Sequence, residues 1–369
     1  MICQPESQRI GGEFEFHPDA YERSGCVEPI AKLANRDCLW TDTGRSALLI
    51  AASTIRHCGG KRRAWVPAFS CESISQALRQ AGLDIQYYSA GVSAECQRSL
   101  PQPEVGETLL FIHYFGHRNR YMARAAEAYR AAGIWIIEDC VHGSLMPGLG
   151  DRGDFAVTSY RKLLPVVDGA ALLSRAPIDL SAIELPLAEP DESFISAKLI
   201  GKIMRGTHAD AEEFLPLFEF SENRLQDRVI PRQMSWLSTW MMARLDWKVA
   251  ASKRRANWSA LSARIAKADI ADRSRPVFDA LQTDDVPLGF PIRVAGGQRD
   301  HLRRFLAGQE IYCPVHWPLG HLGGAGDIDA FPDERELESS LLTLPVDQRM
   351  APEHVERLVE ALVSFFNQH

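Results

Sequence analysis

The chain has 369 residues, of which 46% are hydrophobic and 24% charged, and its formal net charge is −7. This composition is sufficient for one large core with a smaller satellite domain. The acidic balance argues against a nucleic-acid-binding surface, because such surfaces carry clustered lysine and arginine.

The eight cysteines are scattered, and no two have a metal-ligand spacing such as C-x-x-C. This pattern predicts no metal site and indicates reduced thiols in a cytosolic protein. The terminal segment Met1–Glu6 has neither the basic nor the apolar region of a signal peptide. No apolar run reaches the roughly 18 residues needed to span a bilayer. We therefore expect a soluble, cytoplasmic protein without membrane contact.

Short apolar runs alternate with helical patterns from Arg36 to Leu173. The predicted helices include Ser46–Cys58, Glu72–Ala81 and Arg120–Ala132. Near-continuous apolar strands separated by helices indicate an α/β fold with a mostly parallel sheet covered on both faces. The predicted strands are Ala64–Pro67, Ile85–Ser89, Thr108–His113, Ile134–Glu138, Phe155–Ser159 and Ala170–Leu173.

The remainder of the chain predicts a cover segment and a smaller domain. Pro177–Pro231 is a proline-containing mixture of loop and helix that could cover a cleft, and Met234–Ala266 is helical. A second, smaller α/β pattern follows Pro276. We expect a large domain with an N-terminal arm over residues 1–235 and a smaller C-terminal domain over 236–369. The elements predicted in the smaller domain are Leu288–Val294, the helix Gln298–Ala307, the strand Ile311–Val315 and the helix Pro352–Phe366.

The first candidate site is the turn Thr41–Leu48, where a Thr/Gly/Ser-rich sequence leads into an apolar helix. Free backbone N–H groups and the positive end of the helix dipole make such a turn a phosphate site. The simpler interpretation is that Thr43 or Ser46 only caps the helix. Taken alone, this turn favours the cap.

Two further candidates follow neighbouring strands, where ligands bind in open α/β sheets. Asp139 ends an apolar strand, so we expect a desolvated carboxylate that needs a cation or an N–H partner. Lys162 follows the strand that ends at Ser159, and burial beside Arg161 would lower its pKa. The alternative for Asp139 is an ordinary salt bridge, and the alternative for Lys162 is a surface lysine in a loop.

A fourth candidate is His316, next to Trp317 in the smaller domain, which could contact a substrate or pack under a loop. The sequence contains no Gly-rich dinucleotide or P-loop motif, no Gly-x-Ser-x-Gly and no His-Glu-x-x-His. Nucleotide-dependent redox, phosphoryl transfer, serine hydrolysis and zincin chemistry therefore lack their usual motifs.

In order and spacing, these segments resemble the DegT/DnrJ/EryC1/StrS family of sugar aminotransferases, a branch of the fold-type-I pyridoxal-phosphate enzymes. Thr43-Gly-Arg-Ser-Ala-Leu48 is similar to the family's Ser-Gly-Thr-Ala-Ala-Leu turn. Ile137-Glu-Asp-Cys-Val-His142 is similar to Ile-Glu-Asp-Ala-Ala-Gln/His. Gly153-Asp-Phe-Ala-Val-Thr-Ser159 resembles the strand before the family's imine-forming lysine. The resemblance covers most of the chain.

The resemblance implies a role for each matching residue. Lys162 would carry pyridoxal 5′-phosphate as an imine and move protons during catalysis, and Asp139 would pair with the pyridine nitrogen. His142 would lie near the cofactor ring, where the family has Gln or His. Cys71 occupies the position that often carries a ring-stacking aromatic, so Phe69 or His142 would have to stack instead. The phosphate would be surrounded by Gly44, Arg45, Ser46 and Ser159.

The implied reaction moves an amino group from an amino-acid donor, glutamate or glutamine, to a keto-sugar or similar ketone in a homodimer. A sugar dehydratase or lyase, and a regulatory protein that kept only the fold, are alternatives. The retained Lys162 favours transamination, because the family's dehydratases replace this lysine by histidine. The segment from Ser159 to Lys162 is two residues shorter than the family's usual one, and the family's partner-directed loop is only faintly visible at Ile230–Ser235.

Overall fold

A computed structural model describes residues 9–22, 37–92, 100–207, 209–226, 230–324 and 328–368. Cys3, Cys26, Cys96 and the segment Met1–Glu6 lie outside the described residues. Within these ranges Cys38, Cys58, Cys71, Cys140 and Cys313 occur as free thiols. A search of the described helices finds none with the length and apolar character of a membrane span.

Seven strands form the central sheet. They are β2 Asp37–Thr41, β3 Arg63–Pro67, β4 Asp84–Tyr88, β5 Thr108–Ile112, β6 Trp135–Asp139, β7 Phe155–Val157 and β8 Ala170–Ser174. Their spatial order is β2-β8-β7-β6-β5-β3-β4. The five strands from β7 to β4 are parallel, whereas β8 pairs antiparallel with both β7 and β2. The mostly parallel sheet predicted from the sequence is confirmed.

Two details of the sheet differ from the sequence prediction. Strand β2 was not predicted, because it is a partly exposed edge strand whose five residues include only one fully buried side chain. Strand β7 ends at Val157 rather than Ser159. The Ser159 N–H donates instead to the Ser144 hydroxyl at 2.9 Å, and the chain then enters a short 3₁₀ turn over Tyr160–Lys162.

The helices that follow β2, β3 and β5 are α1 Gly44–His57, α2 Glu72–Gln80 and α3 Arg120–Ala131. Helix α1 begins two residues before the predicted start, because Thr43 rather than a later residue caps it. Its side chains from Ala47 to Ala52 are all buried against the sheet. This packing fixes the N-terminus of α1 at the carboxyl edge of the sheet.

The segment after β8 forms the helix pair α4 Glu192–Gly206 and α5 Ala211–Gln226. Helices α6 Trp236–Met242 and α7 Trp247–Ile265 then connect to the smaller sheet. The remaining elements are β9 Ser274–Pro276, β10 Phe290–Val294, α8 Arg299–Ala307, β11 Ile311–Tyr312, α9 Pro332–Ser340, β12 Leu341–Leu344 and α10 Pro352–Gln368. The strand order of the smaller sheet is β12-β10-β9.

The smaller domain contains more elements than the sequence predicted. Strands β9 and β12 and helix α9 were missed, and the predicted strand Ile311–Val315 is only two residues long. Its partner is β1, Ile10–Gly11, so the N-terminal arm adds a parallel strand to this part of the chain. Such a pairing joins residues about 300 positions apart, which no local sequence pattern can predict.

The apolar core consists of several clusters, which only partly follow the predicted domain boundary between residues 235 and 236. Met241, Met242 and Trp247 pack with Tyr160 and Leu164 beside the large sheet. The C-terminal half of α7, from Trp258 onward, packs instead with the smaller sheet and α10. The division into 1–235 and 236–369 stays a prediction.

Candidate active site

A cavity of about 370 Å³ lies at the carboxyl edge of the large sheet. Residues from α1, β6, the turn after β7 and the start of α2 meet here, as expected for ligand sites in α/β sheets. The lining includes all eight residues that were predicted from the sequence to bind a cofactor: Gly44, Arg45, Ser46, Cys71, Asp139, His142, Ser159 and Lys162.

The N-terminus of α1 contributes both a helix cap and free hydrogen-bond donors. The Thr43 hydroxyl accepts from the Ser46 N–H at 3.3 Å, and the Ser46 hydroxyl donates to Asp42 Oδ1 at 2.6 Å. The backbone N–H groups of Gly44 and Arg45 bind no acceptor in the described part of the chain. The cap and the anion-binding interpretations of this turn are therefore compatible.

Asp139 is the last residue of β6 and is 8% exposed. Its Oδ1 accepts from the Val141 N–H at 2.9 Å. Burial raises the pKa of this carboxyl, and the Val141 N–H and the Lys162 and His113 charges counteract the rise only in part. Asp139 is thus the desolvated carboxylate that the sequence predicted, and a cationic partner in the cavity would stabilise its charged form.

Lys162 ends the 3₁₀ turn after β7, and its amine makes no hydrogen bond or ion pair with a described residue. Burial lowers its pKa, and the charge of Arg161 acts in the same direction. The charges of Cys71, Asp139 and Glu222 oppose this shift without cancelling it. A larger fraction of neutral amine suits a lysine that attacks a carbonyl carbon.

Two aromatic rings from different parts of the chain meet at the cavity wall. The His142 ring stacks on Trp317 with centroids 5.1 Å apart and planes inclined by 24°. His142 Nδ1 accepts from the Phe115 N–H at 3.3 Å, which fixes the ring. Phe69 is not among the lining residues and packs behind Trp317 at 5.3 Å. Trp317 was missed as a ring-stacking candidate, because it lies 175 positions from His142 and only the fold brings them together.

His316 does not line this cavity but lines a second one of about 660 Å³, to which Arg161 and Lys162 also belong. Its ring meets that of His142 edge-on at 5.3 Å, and its Nδ1 is 3.0 Å from the Thr343 hydroxyl. Burial, followed by the charge of Lys162, lowers the pKa of His316 to about 3. This side chain is therefore a neutral hydrogen-bonding group at neutral pH.

A chain of ion pairs connects the turn before Lys162 to α4, α5 and the N-terminal arm. Arg161 pairs with Glu222 at 2.9 Å, Glu222 with Lys198 at 2.7 Å, and Lys198 with Glu13 at 2.8 Å. Burial would raise the pKa of Glu222, but Arg161 and Lys198 outweigh it and bring the pKa to about 2. No sequence pattern predicted this network, since its members are distant along the chain.

A buried cluster at the carboxyl ends of β5 and β6 brings the possible ligand atoms of His113, Glu138 and Cys140 within 4.8 Å of one another. His113 Nε2 is 2.9 Å from Glu138 Oε1, and its Nδ1 accepts from the Asn119 N–H at 2.9 Å. The second Glu138 oxygen accepts from the N–H groups of Arg152 and Gly153. The ligand atoms of His113 and Glu138 are thus occupied by internal hydrogen bonds that hold the strand end carrying Asp139.

No protein-family model and no curated protein sequence matches this chain. Solved structures do match. The aminotransferase TlmJ from Streptoalloteichus hindustanus has a TM-score of 0.68 and 15% identity, covering 99% of each chain. A DegT DnrJ EryC1 StrS aminotransferase from Brucella abortus has a TM-score of 0.61 and 14% identity over 94% of this chain and 92% of its own.

A third similar structure is NtdA from Bacillus subtilis with bound cofactor PMP. It has a TM-score of 0.62 and 16% identity, covering 96% of this chain and 78% of its own. At this level of identity the likeness concerns the fold. The chain has the fold of these aminotransferases, including that of the DegT DnrJ EryC1 StrS aminotransferase, which confirms the predicted fold class.

Proposed function

We propose that the chain is a pyridoxal-phosphate-dependent aminotransferase that moves an amino group from glutamate or glutamine to a keto-sugar or similar ketone. The observation that carries the proposal is the meeting of Lys162, Asp139 and the N-terminus of α1 in one cavity. The motif resemblance and the aminotransferase fold support it. We propose no metal ion at this site.

The residues in the cavity fit the groups of this cofactor. Two backbone N–H groups, of Gly44 and Arg45, bind no described acceptor and lie at a helix N-terminus, where a phosphate is stabilised. The Ser159 hydroxyl lines the same cavity. Asp139 has only one described hydrogen bond, so it can accept another from a protonated ring nitrogen. The cofactor supplies an aldehyde for the amino group and a ring that withdraws electrons from the reacting carbon.

The chain's own residues would bind, orient and move protons around that group. The Lys162 amine would hold the cofactor in the resting enzyme and would move the proton at Nζ once the substrate amine has replaced it. Asp139 would keep a proton on the ring nitrogen through its negative charge. His142 and Trp317 would exclude water from one side of the cavity, and Cys71 would line it without stacking. His316 would contact the substrate.

The deciding experiment uses the cofactor-loaded protein and an amino donor without any ketone. We expect glutamate or glutamine to release one equivalent of the matching 2-oxo acid per site and then stop, because the amino group stays on the enzyme until a ketone arrives. Coupled assay of the oxo acid measures the burst. A loaded protein that releases no oxo acid from any amino acid would favour the lyase alternative. A protein that binds no cofactor would favour the regulatory one.

We also propose that the protein works as a homodimer in the cytoplasm. The apolar, Trp- and Met-rich stretch Met234–Trp247, at the start of the predicted helical segment, contains two kinds of side chain. Met241 and Met242 are core residues, whereas Trp236 is 77% and Trp240 is 38% exposed. Exposed Ile230 also lines the cofactor cavity, so an apolar surface reaches the cavity wall. A second copy covering this surface would complete the wall, and large exposed aromatic side chains are typical of interfaces.

Replacement of Trp236 by glutamate is expected to weaken self-association at least about tenfold, since buried interface tryptophans dominate binding energy. Sedimentation velocity over a concentration series measures the dimer dissociation constant. Val105→Glu is the matched control, because Val105 is 66% exposed. It precedes β5 and so lies at the amino ends of the parallel strands, away from the cavity at their carboxyl ends. A wild-type chain that sediments as a monomer at every concentration would overturn the dimer proposal.

A further inference from the structure

The ion pair between Arg161 and Glu222 lies next to the residue proposed to carry the cofactor. Arg161 precedes Lys162 in the 3₁₀ turn after β7, and its guanidinium donates to both Glu222 carboxylate oxygens, at 2.9 and 3.5 Å. All three residues line the cofactor cavity. Two hydrogen bonds from one guanidinium to one carboxylate fix the orientation of both groups. The pair therefore determines where charge lies beside the Lys162 amine.

Glu222 is also bound on its other side, by Lys198 on α4. Lys198 Nζ lies 2.7 Å from Glu222 Oε1 and 2.8 Å from Glu13 Oε1 in the N-terminal arm. Lys198 is 1% exposed, and Lys202, one turn later, lies 3.3 Å from the other oxygen of Glu13. A buried ammonium group is stable only with carboxylate partners, so Lys198 needs both glutamates. The position of Glu222 therefore does not depend on Arg161 alone.

Both members of the pair keep their charge at neutral pH. Burial would raise the pKa of Glu222, but Arg161 and Lys198 outweigh it and bring the pKa to about 2. Burial would lower the pKa of Arg161, but the charges of Glu222 and Glu13 outweigh it and raise the pKa. The pair is therefore a fixed arrangement of two charges, and the neighbouring lysine is the group that titrates.

The Lys162 amine is surrounded by ionisable groups from several elements. Burial lowers the pKa of the amine, and the charge of Arg161 acts in the same direction. The charge of Glu222 opposes that of Arg161, so loss of either member leaves the other charge unbalanced beside the amine. The other ionisable side chains that interact electrostatically with Lys162 are Cys71, Asp139, His142 and His316.

We propose that Glu222 is a positioning residue of the transamination site, which orients the Arg161 guanidinium and balances its charge beside Lys162. The proposal rests on the aminotransferase function proposed above and adds a residue that none of the sequence motifs contains. A lysine that accepts a proton and then returns it works best when its pKa lies near the working pH. Arg161 without Glu222 would make the amine a weaker base, and Glu222 offsets this effect.

Competitive acetylation of the cofactor-free full chain measures the pH midpoint of the Lys162 amine, with mass spectrometry of the peptide that contains it. Only the neutral amine reacts, so the midpoint reports its proton affinity whatever its exposure. We expect the midpoint of Glu222→Gln to lie at least about half a pH unit below that of wild type. Arg161→Met should shift it at least about half a pH unit upward, because the unbalanced charge is then negative.

Glu219→Gln is the matched control, because Glu219 lies on α5 one turn before Glu222, is exposed and does not line the cofactor cavity. Its midpoint should equal that of wild type. A pair that only stabilised the turn would expose Lys162 when either member is lost, so both variants would move toward the ordinary lysine value. Midpoints that move in the same direction, or equal midpoints for Glu222→Gln and Glu219→Gln, would overturn the proposal.

The pH profile of the cofactor-loaded enzyme extends the test to catalysis. At saturating amino donor, oxo-acid release should slow at low pH, where a protonated Lys162 cannot accept a proton. We expect this decline at lower pH in Glu222→Gln and at higher pH in Arg161→Met, parallel to the acetylation midpoints. Midpoints that move without a parallel change in the rate profile would overturn the role of Glu222 alone. A wild type that releases no oxo acid would instead overturn the proposed function.

Discussion

Lys162→Ala is expected to lower the transamination rate by at least about a thousandfold, because the variant loses both the cofactor-binding amine and the group that moves the proton. Lys162 is half-buried, and its amine has a lowered pKa and binds no described partner, so no described contact of the fold depends on it. The variant should fold normally. Turnover with glutamate and a ketone is one measurement.

The second measurement locates the cofactor itself. Borohydride treatment of the loaded wild type should fix the cofactor on the peptide that contains Lys162, as determined by mass spectrometry, and Lys162→Ala should retain none. Lys61→Ala is the control, since Lys61 precedes β3 at the opposite edge of the sheet and pairs with Glu104 at the surface. Cofactor fixed mainly on another lysine, with wild-type activity in Lys162→Ala, would refute the assignment.

The parts of the site that the sequence predicted correctly are those in which one strand end or one helix start carries the signal. Asp139 follows an apolar run that can only be a buried strand, so its burial and position could be predicted. The turn before α1 was recognisable because a capping residue and a glycine precede an apolar helix. Each of these signals lies within one short segment, so it does not depend on contacts with distant parts of the chain.

The parts that the sequence did not predict depend on contacts between distant segments. Trp317 reaches His142 from the smaller domain, and Arg254 reaches the Leu163 carbonyl from α7. Gln348 donates to the same carbonyl at 3.0 Å. No periodicity or motif marks these pairs, because each partner alone looks like an ordinary helix or loop residue. They are also the contacts that connect the smaller domain to the turn carrying Lys162.

The two arginine-rich regions near Lys162 differ in how their charge is balanced. Arg161 is held by Glu222, which also binds Lys198, so this region is internally neutralised and fixes the turn before Lys162. Arg254 forms no ion pair with a described residue and donates to three backbone carbonyl oxygens, while the charge of Asp347 counteracts part of the effect of burial on its pKa. The first region therefore holds the turn that carries Lys162 through charge pairs, and Arg254 holds it through the hydrogen bond to the Leu163 carbonyl.

Asp139→Asn is expected to lower activity roughly 10²- to 10⁴-fold, because removing one partner of a buried charge pair costs about 3–5 kcal/mol and about 1.4 kcal/mol corresponds to a factor of ten in rate. The amide preserves the shape of the side chain and can still accept from the Val141 N–H, but it carries no negative charge to hold a proton on the pyridine nitrogen. The rate of oxo-acid release from the loaded enzyme measures the effect. Asp84→Asn is the control, because Asp84 starts β4 at the other edge and pairs with Arg62 at the surface.

The same substitution should stabilise the cofactor-free protein. Burial raises the pKa of Asp139 in the folded state, so the folded chain binds that proton more tightly than the unfolded chain does. The contribution of Asp139 to stability is therefore largest below the ordinary carboxyl pKa, and it is lost as the pH rises through the raised value. At neutral pH the ionised carboxylate destabilises the fold, and Asp139→Asn removes that cost, which we expect to be about 1 kcal/mol.

Urea unfolding of the cofactor-free proteins measures this difference, which should shrink as the pH falls toward about 4, where the wild-type carboxyl becomes protonated. A carboxylate that binds the ring nitrogen should be needed for activity but should destabilise the cofactor-free fold, because its burial is unfavourable until the cationic partner is bound. A carboxylate that served only the fold would show both effects in the same direction. Loss of stability in cofactor-free Asp139→Asn at neutral pH would therefore contradict its assignment as the partner of the ring nitrogen.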